Sequence, residues 1–69
     1  MNNPFTDRIV LTHATGRESY ELHDATGRMI WSGAHIEKQD FSDLLPGTYV
    51  LRVFEAGSMR TMKAIKRNG

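Results

Sequence analysis

The residues of this chain with the most chemistry to offer are three histidines, three aspartates in turn-like settings, and a single tryptophan close to an arginine. His13, His23 and His35 stand ten and twelve residues apart. Two histidines on adjacent strands can share a metal ion. No i, i+2 pair exists here, and no second ligand type gathers near them, so they read as strand or turn histidines and no metal site is expected. Asp24, Asp40 and Asp43 carry the oxygen ligands that calcium prefers, but the D-x-D-x-D-G loop is missing. Turn and cap roles account for all three. Arg28 and Trp31 together have the means to stack on a sugar or a base. A lone tryptophan on a strand more often covers one end of a small core. No serine lies in a G-x-S-x-G setting. A 69-residue domain also leaves little room for the fixed base and oxyanion hole of a triad. Neither an enzyme nor a cofactor is expected.

The elements that must position these residues repeat with a period of two. Ile9 and Leu11 flank Val10, Tyr20 and Leu22 alternate with Ser19, Glu21 and His23, and Tyr49, Leu51 and Val53 alternate with Thr48, Val50 and Arg52. Such alternation marks strands with one buried face. No stretch keeps the helical i, i+3, i+4, i+7 spacing over three turns. Glycines punctuate the chain in "THATGR" (12–17), "DATGR" (24–28), "SGA" (32–34), "LPG" (45–47) and "EAGS" (55–58). Glycine accepts positive φ without a Cβ clash, which tight turns require. "DATG" and "EAGS" fit hairpin loops with glycine at the left-handed position.

The spacing predicts strands near 8–12, 17–23, 29–32, 35–39, 47–54 and 59–66. Together they imply a small antiparallel, immunoglobulin-like β-sandwich of about six to seven short strands, in one domain spanning 1–69. Between the fourth and fifth strands, "DFSDLLP" predicts one helical turn with Phe41 and Leu44 on the core side. Asp40 or Ser42 caps that turn, and Pro46 stops it before Gly47 opens the next strand. The expected core is Ile9, Leu11, Tyr20, Leu22, Ile30, Ile36, Phe41, Leu44, Tyr49, Leu51, Val53 and Ile65.

Composition narrows the function classes. Apolar residues make up 39% and charged residues 25%, a globular rather than a disordered balance. Nine basic and eight acidic residues leave a net charge of +1, which argues against nucleic acid as a partner. There is no cysteine, so disulfides and thiolate zinc sites are excluded. The longest apolar runs, such as Ile9-Val10-Leu11, are three residues, so no transmembrane segment is expected. The N-terminus lacks a charged-then-apolar signal pattern, and Met1, just before the turn-like "NNP", reads as the start of a fragment of a longer chain. Charge is uneven along the chain: Arg60, Lys63, Lys66 and Arg67 fall in the last ten residues, and no acid follows Glu55. Alternate basic residues of this kind keep an edge strand soluble and unpaired. They also offer a surface to an acidic partner.

Three motifs, in order, resemble a known family. "NPF" (3–5) followed by "DRIVL" is similar to a "PNP" opening and first strand. "YELHDATGRMI" (20–30) is similar to a "v-x-v-y-D-x-x-G-r-x-v" hairpin. "DFSDLLPGTYVLRV" (40–53) follows "D-L-S-x-L-x-x-G-x-Y-x-x-x-V", with Phe41 where the family has leucine, and "MKAIK" (62–66) resembles its basic-apolar last strand. Order and spacing over nearly the whole chain resemble the C-terminal sorting domain, type A, of cargo proteins of the type IX secretion system of Bacteroidetes. Two departures are Met1-Asn2-Asn3 at the start and the trailing "RNG" (67–69).

The resemblance implies a non-catalytic signal domain at the C-terminus of a longer secreted protein. Such a domain directs its cargo through the periplasm and across the outer membrane to the cell surface. Its implied partners are the outer-membrane translocon and shuttle proteins, and a sortase-like surface cysteine protease that removes the domain or anchors the cargo. The implied recognition residues are Gly47, Tyr49, Val53, Lys63, Ile65, Lys66 and Arg67. Gly47, Tyr49 and Val53 are expected to keep the fold. Lys63, Lys66 and Arg67 are expected to face solvent, where the last strand is also open to strand addition. Two alternatives are an accessory carbohydrate- or protein-binding β-sandwich of a surface enzyme, and a structural spacer.

Overall fold

The computed structural model describes residues 2–12 and 14–68. Its strands are β1 (Asn2–Phe5), β2 (Ser19–His23), β3 (Met29–Ala34), β4 (Gly47–Glu55) and β5 (Ser58–Lys66), with a short 3₁₀ turn at Ile36–Lys38. All five strands join one open mixed sheet in the order β1-β5-β4-β2-β3. The neighbours are antiparallel except for β1, which runs parallel to β5. The expected all-β class therefore holds. The described strands number five and make one sheet; that layer is compatible with a small β-sandwich.

Both hairpin turns follow from their residues. In "DATGR" the Asp24 carboxylate accepts hydrogen bonds from the Thr26 N–H (2.9 Å), the Thr26 hydroxyl (2.6 Å) and the Arg28 N–H (3.0 Å). Gly27, at φ 91°, closes the loop by donating to the Asp24 carbonyl. In "EAGS" the pair Ala56–Gly57 bridges Glu55 and Ser58, with φ 51° and 82°. Two left-handed residues in a two-residue loop match the right-handed twist of the strands they join.

One face of the sheet is covered, and it is covered by loops. Tyr20, Leu22, Tyr49, Leu51, Val53 and Ala64 point into a core completed by Phe5 and by Ile9, Ile36 and Phe41 from the connecting segments. The Phe41 N–H donates to the Asp7 carbonyl (2.6 Å) and the Arg8 guanidinium to the Lys38 carbonyl (3.3 Å), which ties the two covering segments together. Phe41 meets Phe5 and Trp31 edge-on, with ring centroids 6.2 and 5.6 Å apart. Such contacts add to the area they bury.

Four expectations are corrected. Residues 8–12 have no ladder partner: Ile9 is buried and Val10 exposed, so the alternation is real but belongs to a covering segment rather than a strand. Segment 35–39 is not a strand, because His35 sits at φ 52° and turns the chain into the 3₁₀ element that buries Ile36. "SGA" is not a break but the end of β3. Gly33 sits there at φ 156°, which L side chains rarely adopt, and a Cβ would lie 3.1 Å from the Trp31 ring, which would have to give by a few tenths of an ångström. Ile65 is half-buried on the opposite face, and Ala64 takes the core position instead. Leu11, Ile30 and Leu44 are half-buried and pack against the core. The "DFSDLL" segment forms a single i→i+3 turn, in which the Leu44 N–H donates to the Phe41 carbonyl and the Asp40 carboxylate accepts the Ser42 N–H.

Candidate functional site

The residues implied as a recognition site lie on both faces of the sheet rather than in one patch. Their placement follows from the β4–β5 register, in which Tyr49 pairs with Ala64, Val50 with Lys63, Thr48 with Ile65 and Gly47 with Lys66. Directly opposed residues in an antiparallel pair share a face. Tyr49 and Val53 are buried in the core, as expected. The Tyr49 hydroxyl donates to the Leu45 carbonyl (2.6 Å) and so holds the "LLPG" turn against β4. Gly47 starts β4 at φ 150°, a conformation that L side chains rarely adopt. These three are fold-keeping positions.

Lys63 is exposed on the open face, beside half-buried Ile65 and Val50. Arg67 is exposed just beyond β5, with its backbone N–H donating to the Phe5 carbonyl (2.8 Å). Lys66 departs from expectation. It is 6% exposed and shares the covered face with Phe5 and Gly47. Once Tyr49 is in the core, residues 64 and 66 must share its face, so pairing overrides the polarity of the side chain. The Lys66 ammonium reaches water-side acceptors by its length, donating to the Arg67 carbonyl (3.3 Å). It also contributes, after the Ser42 hydrogen bonds, to holding the Asp40 carboxyl below its ordinary value.

The last strand is not a plain edge either. β1 covers residues 63–66 of β5, and among the described residues 58–61 keep a backbone side with no strand beside it. The unpaired edge at the far side of the sheet belongs to β3.

The histidines and the tryptophan have structural surroundings. His23 lies 3.0 Å from the Glu21 carboxylate and 3.2 Å from the Gly27 carbonyl. His35 lies 3.6 Å from the Glu37 carboxylate. His13 falls outside the described residues. Among the described residues, no group of three or more potential ligands is placed to hold a metal ion. Trp31 closes one end of the core, edge-on to Phe41, and Arg28 pairs with Asp24 (3.6 Å) rather than with the indole. No helix among the described residues is long and apolar enough to cross a membrane.

Glu18 was not anticipated. It is 3% exposed, and its carboxylate accepts the Thr15 N–H (2.8 Å) and the Gly16 N–H (3.0 Å), with the Thr15 hydroxyl oxygen 3.3 Å away. These bonds hold its pKa below the ordinary value, with the Thr15 backbone bond the largest cause and desolvation opposing it. The same Thr15 hydroxyl donates to Glu55 (2.8 Å), which pins the loop to the end of β4. Nothing local in "TGRES" separates this acid from a solvated one, because its partners are its own preceding loop folded back.

No family model, curated protein or solved structure matches the chain.

Proposed function

We propose that this domain is a non-catalytic C-terminal sorting signal of the type IX secretion system. It would direct a cargo protein through the periplasm and across the outer membrane, to be released or anchored at the cell surface. The observation that carries the reading is the order of the three motifs in the sequence, resembling that family from "NPF" to "MKAIK". The motif residues have physical work consistent with a signal read as a folded object. Asp24 and Gly27 build one turn, Asp40 builds the next, and Gly47, Tyr49 and Val53 seat β4.

In this reading the translocon or shuttle proteins touch what remains outside: Lys63 and Ile65 on the open face, Arg67 beyond it, and the backbone side of residues 58–61 that β1 does not cover, which suits strand addition. Lys66 would act through the fold and not by contact. A sortase-like protease would act upstream of the domain. The test is a passenger fused to this domain. Deleting residues 59–69 should trap the passenger in the periplasm, and normal export of that fusion would sink the proposal. Because the deletion also removes a core strand, Lys63→Glu with Arg67→Glu is the second arm, expected to keep the fold and reduce export.

One feature favours an accessory carbohydrate-binding module as a second reading. Trp31 borders a shallow depression of about 180 Å³ with Gln39, Asp40 and Asp43. Quenching or enhancement of Trp31 fluorescence by soluble oligosaccharides would support that reading, and an unchanged spectrum would remove it.

A further inference from the structure

An open sheet edge is a row of backbone donors and acceptors ready for another strand, and proteins guard such edges with prolines, charges and bulges. On one side of this sheet the guards are present. β1 carries Pro4, which has no N–H to give, and the uncovered part of β5 carries Arg60 on the same face as Val53, a charge turned inward on an edge. β3, on the other side, has neither. Its residues, Met-Ile-Trp-Ser-Gly-Ala (29–34), include no charge and no proline. The bulge opposite Leu22 and His23 lies at its Met29 end and leaves residues 31–34 in regular register with β2. Among the described residues, no backbone N–H or C=O of 29–34 has a hydrogen-bond partner outside the β2 ladder. Met29, Ser32, Gly33 and Ala34 are exposed, and Ile30 and Trp31 are half-buried.

We infer that the β3 edge pairs antiparallel with the β3 edge of a second copy of this chain, about a twofold axis at Ser32. Trp31 and Gly33 oppose Leu22 and Tyr20 and so lie on the covered face. Opposed residues share a face, so a sheet continued across the axis sets Trp31 against either Trp31 or Gly33 of the second copy. The first register places two indoles directly opposite each other. The second gives each indole the empty side-chain position of a glycine, and a glycine inside a strand often marks the close approach of another backbone. In that register Ser32 meets Ser32 and Ile30 meets Ala34. The charges at the two ends of the strand then match. Arg28 and Asp24 stand just before β3, and Glu37 and Lys38 follow it. Antiparallel pairing brings each copy's Arg28 alongside the other's Glu37, both side chains being exposed, and Asp24 answers Lys38 in the same way. An unrelated extended peptide would find the backbone but not this matched pattern, which favours a second copy as the occupant. One strand pair buries less than a standard interface, so the dimer is weak and reversible. This inference does not depend on the sorting reading.

Sedimentation equilibrium of the whole chain, from micromolar to millimolar concentration, should show a reversible shift from monomer to dimer. Hydrogen exchange of the β3 amides should slow in step with it. Ser32→Lys should keep the chain monomeric throughout, because two like charges would face each other at the axis. Within one copy the introduced lysine opposes Glu21, so the fold is kept, and unchanged amide shifts away from β3 will show it. The chain has no cysteine, so a single introduced thiol reports the register. Mild oxidation of Ser32→Cys should give a covalent dimer, since opposed Cα atoms lie about 4.5–5.5 Å apart, within reach of a disulfide. Thr61→Cys, exposed on the uncovered part of β5, should give none. A monomer at every concentration, a dimer that Ser32→Lys leaves intact, or equal cross-linking of the two thiol variants would each overturn the inference. Protection of the β3 amides only by an added, unrelated extended peptide would assign the edge to a foreign strand and overturn it as well.

Discussion

The two faces of the sheet are built from the same strands and the same ladder, yet they have opposite fates. The covered face carries Tyr20, Leu22, Leu51, Val53 and Ala64, each sealed by side chains from the segments that cross it. The open face carries Glu21, His23, Arg52 and Lys63 between half-buried Val50, Phe54 and Ile65. What differs is only what lies above each face. β5 makes the point most clearly, since Lys66 goes to the covered side and Ile65 to the open one. The position of a side chain here follows from ladder parity, and polarity is accommodated afterwards. Stability should therefore be concentrated on one face, leaving the other free to vary or to meet a partner.

The largest expected effect is on the covered face. Leu51→Ala should cost about 2–5 kcal/mol, enough to unfold much of the population of so small a domain. Its neighbour on the open face, Val50→Ala, should cost about 1 kcal/mol or less. Urea unfolding of both variants checks this, and equal losses would break the comparison. Gly47→Val should cost about 1–3 kcal/mol by forcing a branched side chain into φ 150°. The loss should appear even though a Cβ there meets no atom within 4 Å, which marks it as backbone strain and not a clash.

Three turns and loops are also held by carboxylates. Glu18, Asp24 and Asp40 all have lowered pKa values in the folded state, and the largest causes are hydrogen bonds from Thr15, Thr26 and Ser42 respectively. A depressed folded pKa means that the unfolded chain binds protons first as pH falls. The stabilisation is therefore complete above the ordinary values of 4.5 for the glutamate and 3.8 for the aspartates, and it is lost as pH falls through the lower folded values. Thermal unfolding followed from pH 7 to pH 2 should show this decline, and Glu18→Gln should flatten part of it. An identical acid limb in the variant would remove Glu18 from the account.

Two smaller effects sharpen the comparison. Lys66→Met should change stability by less than about 1.5 kcal/mol, because the stem is what packs and Met conserves its volume. A much larger loss in urea unfolding would mean that the ammonium bond to the Arg67 carbonyl holds the terminus. Ala56→Asn should stabilise by roughly 0.5–1 kcal/mol, since Ala56 occupies a left-handed position that asparagine tolerates better. A lower urea midpoint for this variant would count against the two-residue turn.

Much of the fold was legible where the signal was local. The strands near 17–23, 29–32, 47–54 and 59–66 are all present within a few residues. Both glycine hairpins and the Asp40 turn are also where their residues put them. Segment 8–12 was misread because a short apolar alternation is the same whether it pairs in a ladder or lies across one; segment 35–39 has one apolar residue, Ile36, and its turn is set by the left-handed His35, which the residue type does not announce. Of the implied recognition residues, Gly47, Tyr49 and Val53 were placed correctly because their roles are turn and core roles. Lys66 was not, because "MKAIK" offers apolar residues on both of its faces, Met62 and Ala64 on one and Ile65 on the other. A strand of that kind does not specify its own phase. Glu18 left no trace in the sequence at all.

By itself, then, the sequence determined an all-β chain with two tight hairpins, a core centred on Tyr20, Leu22, Tyr49, Leu51 and Val53, and glycines where the backbone turns left-handed. Those features depend on neighbours a few residues away. Only the tertiary structure decided that β1 lies parallel to β5, that β3 and not β5 holds a fully open edge, that loops rather than strands cover the core, and that Lys66 is turned inward. Each of these is settled by pairing or packing between residues distant in the chain. Such contacts depend on which strand wins a shared neighbour, and no single segment carries that information.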